Sequence, residues 1–329
     1  MRPLGRTVAG LLLPLFLLAL ASSGHGADLG LRLAYLQNDL HQLACFVALE
    51  KRYFSQEGVR VEVAGIFKAG PEEMSGFAAG ELDVGYVGEA PATVSVANGT
   101  ADVRIVAQVN LEGSAIVRRK GSGLNDLQDL IGKTIAVPGH ATVQDFLIRR
   151  ALEKAGIPFK SVNIITLKPP EMIPAIRANQ IDAFVAWEPY PAKAVTSGVG
   201  EILHYSKDLW PKHPCCVVVV NTRLLSTRPD AVQGLLKAHI RATSYINRHF
   251  EDAASIGARF TGMDLATVKL AMKNIRYQYE LDVKGELEYV SFLMRLRAIK
   301  VADPKQFVHT ILVPDALKRV LEKFTTERE

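Results

Sequence analysis

Several short stretches carry the side chains that could do chemistry. His213-Pro214-Cys215-Cys216 sets an imidazole beside two thiols, the donor types that soft transition metals take. Trp187-Glu188-Pro189-Tyr190 joins a flat apolar ring, a carboxylate, a turn-stiffening proline and an aromatic with a polar tip. That mixture of apolar wall and placed polar group is typical of small-molecule pockets. Gly139-His140-Ala141-Thr142 lies between a strand-like and a helix-like run, with Thr142 and Asp145 at capping-box-like spacing. Free amides and the positive end of a helix there can hold an anionic head group. Gln37, His41 and Gln42 offer polar donors at another helix start, and Lys68 offers a cation just after a strand. No Ser/His/Asp arrangement, phosphate-binding glycine-rich loop or pair of catalytic carboxylates stands out, so neither an enzyme nor a bound cofactor is expected.

The cysteines invite a metal reading and then resist it. In a regular strand Cys215 and Cys216 point to opposite faces, and no nearby Cys or His completes a tetrahedral set. The expectation is therefore no metal, no disulfide framework, and Cys45, Cys215 and Cys216 as buried thiols. The rival reading is an extracytoplasmic enzyme, or a metal or redox sensor, built around His213, Cys215 and Cys216.

The elements that position these residues come from a repeat. "EMSGFAAGELDVGYVGEAPA" (residues 73–92) and "MIPAIRANQIDAFVAWEPYP" (residues 172–191) coincide on sliding one by ninety-nine places. Asp83 then falls on Asp182, Glu89 on Glu188, Pro71 on Pro170, Glu72 on Glu171 and Gly99 on Gly198. In each copy a strand-like run is followed by a helical face, a second strand, a proline-led helix and a third strand. "LRLAYL", "VRVEVAGIF" and "LDVGYV" are the strands of the first copy; "KTIAV", "VNIITL" and "IDAFVA" are those of the second. Leu40, Leu43, Val47 and Phe54 predict one helix ending near Gly58, and Val143 to Ala155 predict another stopped by Gly156. Strands alternating with helices imply an α/β protein of two lobes, each a mostly parallel sheet flanked by helices.

Parallel sheets bind ligands beyond the carboxyl ends of their strands. Two facing lobes put residues 37–42, 67–70 and 88–91 opposite residues 139–142, 168–170 and 187–190. The candidate ligand-binding residues follow: Gln37, His41, Gln42, Lys68, Gly88, Glu89 and Ala90 on one side. Gly139, His140, Ala141, Thr142, Trp187, Glu188 and Tyr190 lie on the other. Glu89 and Glu188 either bond backbone groups within their loops or accept from an amine of the ligand.

Length agrees with two lobes, because single cores stop growing near ~250–300 residues. The formal charge of +5 includes Arg2 and Arg6 and is spread without a basic block, which argues against nucleic acid as a partner. Arg2 and Arg6 flank "VAGLLLPLFLLALA", an apolar run too short to span a bilayer and followed by small residues. It reads as a signal peptide over residues 1–27, cleaved between Ala21 and Ala27, for export to the periplasm. Two crossings are expected, one through "SAIVRR" near Arg118 and one through "HPCCVVVVN" near Cys215. The valines of the second read as a buried strand of lobe one. Lobe one then comprises residues 28–117 and 215–329, and lobe two residues 118–214. The helical segment after Thr222 completes lobe one.

"GELDVGYVGEAPA", "LIGKTIAVPGHATVQDFLIRRALEKAG", "IDAFVAWEPYPAKA" and "HPCCVVVVN" together resemble the periplasmic solute-binding proteins of ABC importers for alkanesulfonates, taurine and nitrate. The wider group includes carriers of thiamine pyrimidine precursors. The resemblance covers essentially all of the chain after the signal segment. It implies a type II periplasmic-binding fold that closes by a hinge on a small anionic or zwitterionic solute and passes it, as a monomer, to a membrane permease. A related group of pyrimidine-synthesising enzymes carries a longer cysteine cluster that this chain lacks.

Overall fold

A computed structural model describes residues 30–326, so the signal segment lies outside the described residues. The strands are β1 (Leu31–Leu36), β2 (Val61–Phe67), β3 (Val84–Gly88), β4 (Val103–Glu112), β5 (Ser114–Arg119) and β6 (Thr134–Val137). They continue as β7 (Asn163–Thr166), β8 (Ala183–Trp187), β9 (Gly200–Tyr205), β10 (Pro214–Asn221) and β11 (Ile275–Tyr277). One sheet has the order β11-β4-β10-β3-β1-β2 and the other β7-β6-β8-β5-β9. Within each, the three strands of one repeat copy are parallel; β10 and β5 run antiparallel beside them and pair antiparallel in turn with β4 and β9.

The repeated acidic residues hold equivalent joints. Asp83 Oδ2 accepts the Arg32 N–H at 2.9 Å, while the Asp83 N–H donates to the Arg32 carbonyl at 2.9 Å. Asp182 makes the same two bonds with Thr134, both at 2.9 Å. Each aspartate thereby ties the start of the third strand of its copy to the start of the first. Glu72 and Glu171 likewise accept the backbone N–H of Lys68 at 3.2 Å and of Lys168 at 3.3 Å, closing the first turns of the helices Gly70–Ala78 and Pro169–Arg177.

Two features depart from the sequence reading. The helix through Leu40 and Phe54 breaks into Leu43–Glu50 and Tyr53–Gln56, because Arg52 takes a left-handed φ of 57°. "SAIVRR", expected as the outward crossing, is β5 itself, hydrogen-bonded between β8 and β9. The chain passes between sheets at Glu112-Gly113, both with positive φ, five positions before Arg118 (113 against 118). Residues 103–112 and 114–119 are both apolar-rich and strand-like, so only the backbone reversal at Gly113 marks the change of sheet.

The return runs from β9 through Trp210–His213 into β10, beside the outward crossing, with the Glu112 N–H on the His213 carbonyl at 3.0 Å. Cys215 to Val220 are fully buried or nearly so in the middle of the first sheet, as the valine run predicts. The helices after Thr222 pack on that sheet, with Pro229–Arg248 against Leu43–Glu50. No helix among the described residues is long and apolar enough to cross a membrane.

Candidate functional site between the lobes

The carboxyl ends of β1, β3, β6 and β8 meet across a narrow cavity of about 10 Å³. It is lined by Leu36, Asp39, His41, Gly70, Gly88, Pro91, Cys215 and Cys216 from one side and by Thr142, Val143, Gln144 and Trp187 from the other. The lobes are closed over it. Lys168 pairs with Glu72, Lys193 with Asp264 at 3.0 Å, and Arg150 with Glu288 at 2.9 Å. Beside the cavity, Phe146 is sealed against Tyr289 and Phe292, with ring centroids 4.3 and 4.6 Å away.

Of the residues singled out from the sequence, His41, Gly88, Thr142 and Trp187 line the cavity. Gly88 is needed for the close approach: a Cβ there would stand 3.3 Å from Pro91 and 3.4 Å from Val143 of the facing lobe. Thr142 caps the helix Val143–Lys154, accepting from the Asp145 N–H at 3.2 Å and donating to the Gly139 carbonyl at 2.8 Å. Asp145 accepts the Ala141 N–H at 3.1 Å, so part of the predicted amide cradle is already occupied. The first-turn amides of Val143 and Gln144 have no partner within their own helix. Trp187 is buried in the lobe-two core as well as facing the cavity, and its indole Nε1–H has no partner among the described residues.

The remaining candidates stand back. Gln42 is buried beneath the cavity, donating to Asp39 at 3.0 Å and to Cys216 Sγ at 3.6 Å. Gln37 is half-buried and gives its N–H to the Phe67 carbonyl at 2.7 Å. Lys68 and His140 are exposed, Gly139 and Ala141 flank the helix cap, and Ala90 is in the lobe-one core. Glu89 is buried away from the cavity, accepting from Gln108 at 3.0 Å beside Glu286. Glu188 accepts from the Ala192 N–H at 3.0 Å and from Asn274 at 2.9 Å, the loop-bonding role, and a cis peptide joins it to Pro189. Burial pushes both carboxyls up, Glu188 to about 7. Tyr190 is buried edge-on to Trp187, with 6.3 Å between ring centroids.

One expectation is overturned. The Cys215 and Cys216 side chains do not diverge: Cys215 Sγ is 3.5 Å and Cys216 Sγ 3.7 Å from His41 Nδ1. The cause is a bulge in β10. Pro214 pairs with Leu111 and Cys216 with the adjacent Asn110, leaving Cys215 as an extra residue without its own partner. A bulge cancels the alternation of faces on which the prediction rested. The imidazole that joins them is His41, from the start of the chain, rather than His213. His213 Nδ1 instead donates to the Pro214 carbonyl at 2.9 Å. Asp39, unnoticed in the sequence although it lies in the expected loop, accepts from the His41 N–H at 2.8 Å.

Burial opposes a charged His41, but Cys215 and Asp39 outweigh it and raise the imidazole to about 9. Burial would raise Cys215 too, yet hydrogen bonds from Cys216 and His41 hold its thiol well below the usual range. Asp39 is raised to about 6 by burial, against the pull of His41.

The NMT1-like family model matches residues 27–259. A candidate aliphatic sulfonates-binding protein of Bacillus subtilis is 30% identical over 83% of this chain and 84% of its own length. Among solved structures, the alkanesulfonate-binding protein of Xanthomonas axonopodis pv. citri, bound to MOPS, superposes with a TM-score of 0.76 at 21% identity. It covers 87% of this chain and 98% of its own. The periplasmic nitrate-binding protein of Synechocystis PCC 6803 gives 0.77 at 16% identity, over 89% of this chain and 88% of its own. The fold is thus the two-lobed one expected, and the chain belongs to the NMT1-like family, as a solute-binding component of the ABC-import kind.

Proposed function

We propose that the protein captures a small anionic or zwitterionic solute of the sulfonate, taurine or nitrate class in the inter-lobe cavity, outside the cytoplasmic membrane, and delivers it as a monomer to an ABC permease. It performs no reaction on the solute. The single observation that carries this reading is the enclosed cavity lined by strand-end loops of both repeat copies, with the Trp187 Nε1–H left unpartnered at its wall. A buried donor without a partner costs about 1–3 kcal/mol, and an oxyanion relieves it.

The lining contains neither Lys nor Arg. An anionic head would therefore be met by the start of the helix Val143–Lys154 and by His41, and an ammonium group would sit toward the buried Asp39 carboxylate. That pairing favours a taurine-like zwitterion over nitrate. At about 10 Å³ the closed cavity has room for little more than one water, so the lobes must part to admit the solute. Closure about Gly113 and the Trp210–His213 return would seal it in.

A thermal-shift screen of the exported protein against taurine, short alkanesulfonates, nitrate and an aminopyrimidine tests this. A member of the first three at one hundred times its dissociation constant should add ~2.7 kcal/mol of stability. A shift with the aminopyrimidine alone, or with none of the four, would overturn the proposed class.

A further inference from the structure

His41, Cys215 and Cys216 bring three soft donors together at the floor of the cavity. Their ligating atoms all lie within 4.8 Å of one another, and all three side chains are buried. The imidazole is fixed from behind, because Nε2–H donates to the Gly113 carbonyl at 2.8 Å and so aims Nδ1 at the sulfurs. A backbone carbonyl in that position is the usual orienting partner of a metal-bound histidine. The support is tight: a Cβ on Gly113 would stand 2.4 Å from His41 Nε2.

The spacing matches a shared centre. An ion bound to sulfur at about 2.3 Å and to imidazole nitrogen at about 2.05 Å, at a tetrahedral angle, separates the two donors by about 3.6 Å. The two Nδ1–Sγ distances here are 3.5 and 3.7 Å. The bulge at Cys215 is what brings the second sulfur in. Gln42 donates to Cys216 Sγ at 3.6 Å, an outer contact suited to a metal-bound thiolate.

We propose that His41 Nδ1, Cys215 Sγ and Cys216 Sγ form a three-donor site for a thiophilic ion of the Cu(I) or Zn(II) class, with a further position facing the cavity. Two thiolates and one imidazole suit these ions and disfavour hard cations such as magnesium or calcium. Binding displaces the protons on Nδ1 and the thiols to solvent, and no electron is transferred. This inference goes beyond the solute reading and does not depend on it.

The exported chain, reduced and kept free of oxygen, is titrated with Co(II) as the spectroscopic stand-in for Zn(II), and separately with Cu(I) held by a competing chelator. One ion per chain is expected in at least one arm, with strong sulfur-to-metal absorption for Co(II). Cys215→Ser and Cys216→Ser should each weaken uptake by more than the roughly 10- to 100-fold that loss of an outer-shell partner costs. Cys45→Ser, a core thiol outside the cluster, should leave uptake unchanged. If a serine variant fails to fold, X-ray absorption on the loaded native chain reads the donors directly, and two sulfurs with one imidazole are expected. Failure to take up one ion in both arms would refute the site, as would uptake that survives loss of both Cys215 and Cys216. The solute screen repeated with a chelator present addresses the solute reading alone, so either proposal can fail without the other.

Discussion

Replacing Trp187 with Phe separates the cavity wall from the core. The ring that packs among Ala186, Tyr190 and Met172 is kept in part, while the unpartnered Nε1–H disappears. In the ligand-free protein that donor is buried without a partner, so its removal returns about 1–3 kcal/mol of desolvation cost. The smaller side chain leaves a void on the order of 40 Å³, which at ~24 cal/mol per Å³ costs about 1 kcal/mol. The two effects nearly cancel, and the melting temperature should move by no more than about 4 °C. Binding is different. A hydrogen bond to a charged solute contributes about 1.5–3 kcal/mol, so the dissociation constant for taurine or a short alkanesulfonate should rise roughly 10- to 150-fold. Calorimetric titration and a melting curve on the one variant read both quantities. An affinity within about twofold of the native protein, alongside a fall of more than about 5 °C, would show that Trp187 serves the core alone.

Three further outcomes follow from the geometry. Burial and the neighbouring Glu286 raise Glu89, and burial raises Glu286 to about 7, so this pair keeps protons that the unfolded chain releases near 4.5. Its stabilisation is complete below that pH and is lost as pH rises toward 7, by at most ~1.4 kcal/mol per pH unit per proton; Glu286→Gln should flatten the fall in melting temperature between pH 5 and 8. Gly113→Ala places a methyl against His41 at a φ of 85° and should cost roughly 1–3 kcal/mol in a denaturant melt; unchanged stability would mean that the outward crossing adjusts freely. Small-angle scattering should show compaction when saturating solute is added, and an unchanged radius of gyration would argue against hinge closure.

The sequence by itself determined the elements and their order. Apolar periodicity located the three strands of each copy, and the ninety-nine-residue offset identified two lobes because both copies must make the same local joints, such as Asp83 on Arg32 and Asp182 on Thr134. It also placed His41, Gly88, Thr142 and Trp187 at strand ends, where parallel sheets present their loops. It did not separate Glu89 and Glu188, which turn inward, from cavity residues, since facing is a property of the packed loop rather than of the residue type. The change of sheet at Gly113 was hidden because strand-like apolar runs continue on either side of the backbone reversal. The cysteine pair shows the limit most plainly. Period-two alternation sends Cys215 and Cys216 apart, and only pairing β10 with β4 reveals the bulge that turns them together. His41 then reaches them from 174 positions away in sequence, a meeting that no local pattern encodes and that closure of the first sheet alone decides.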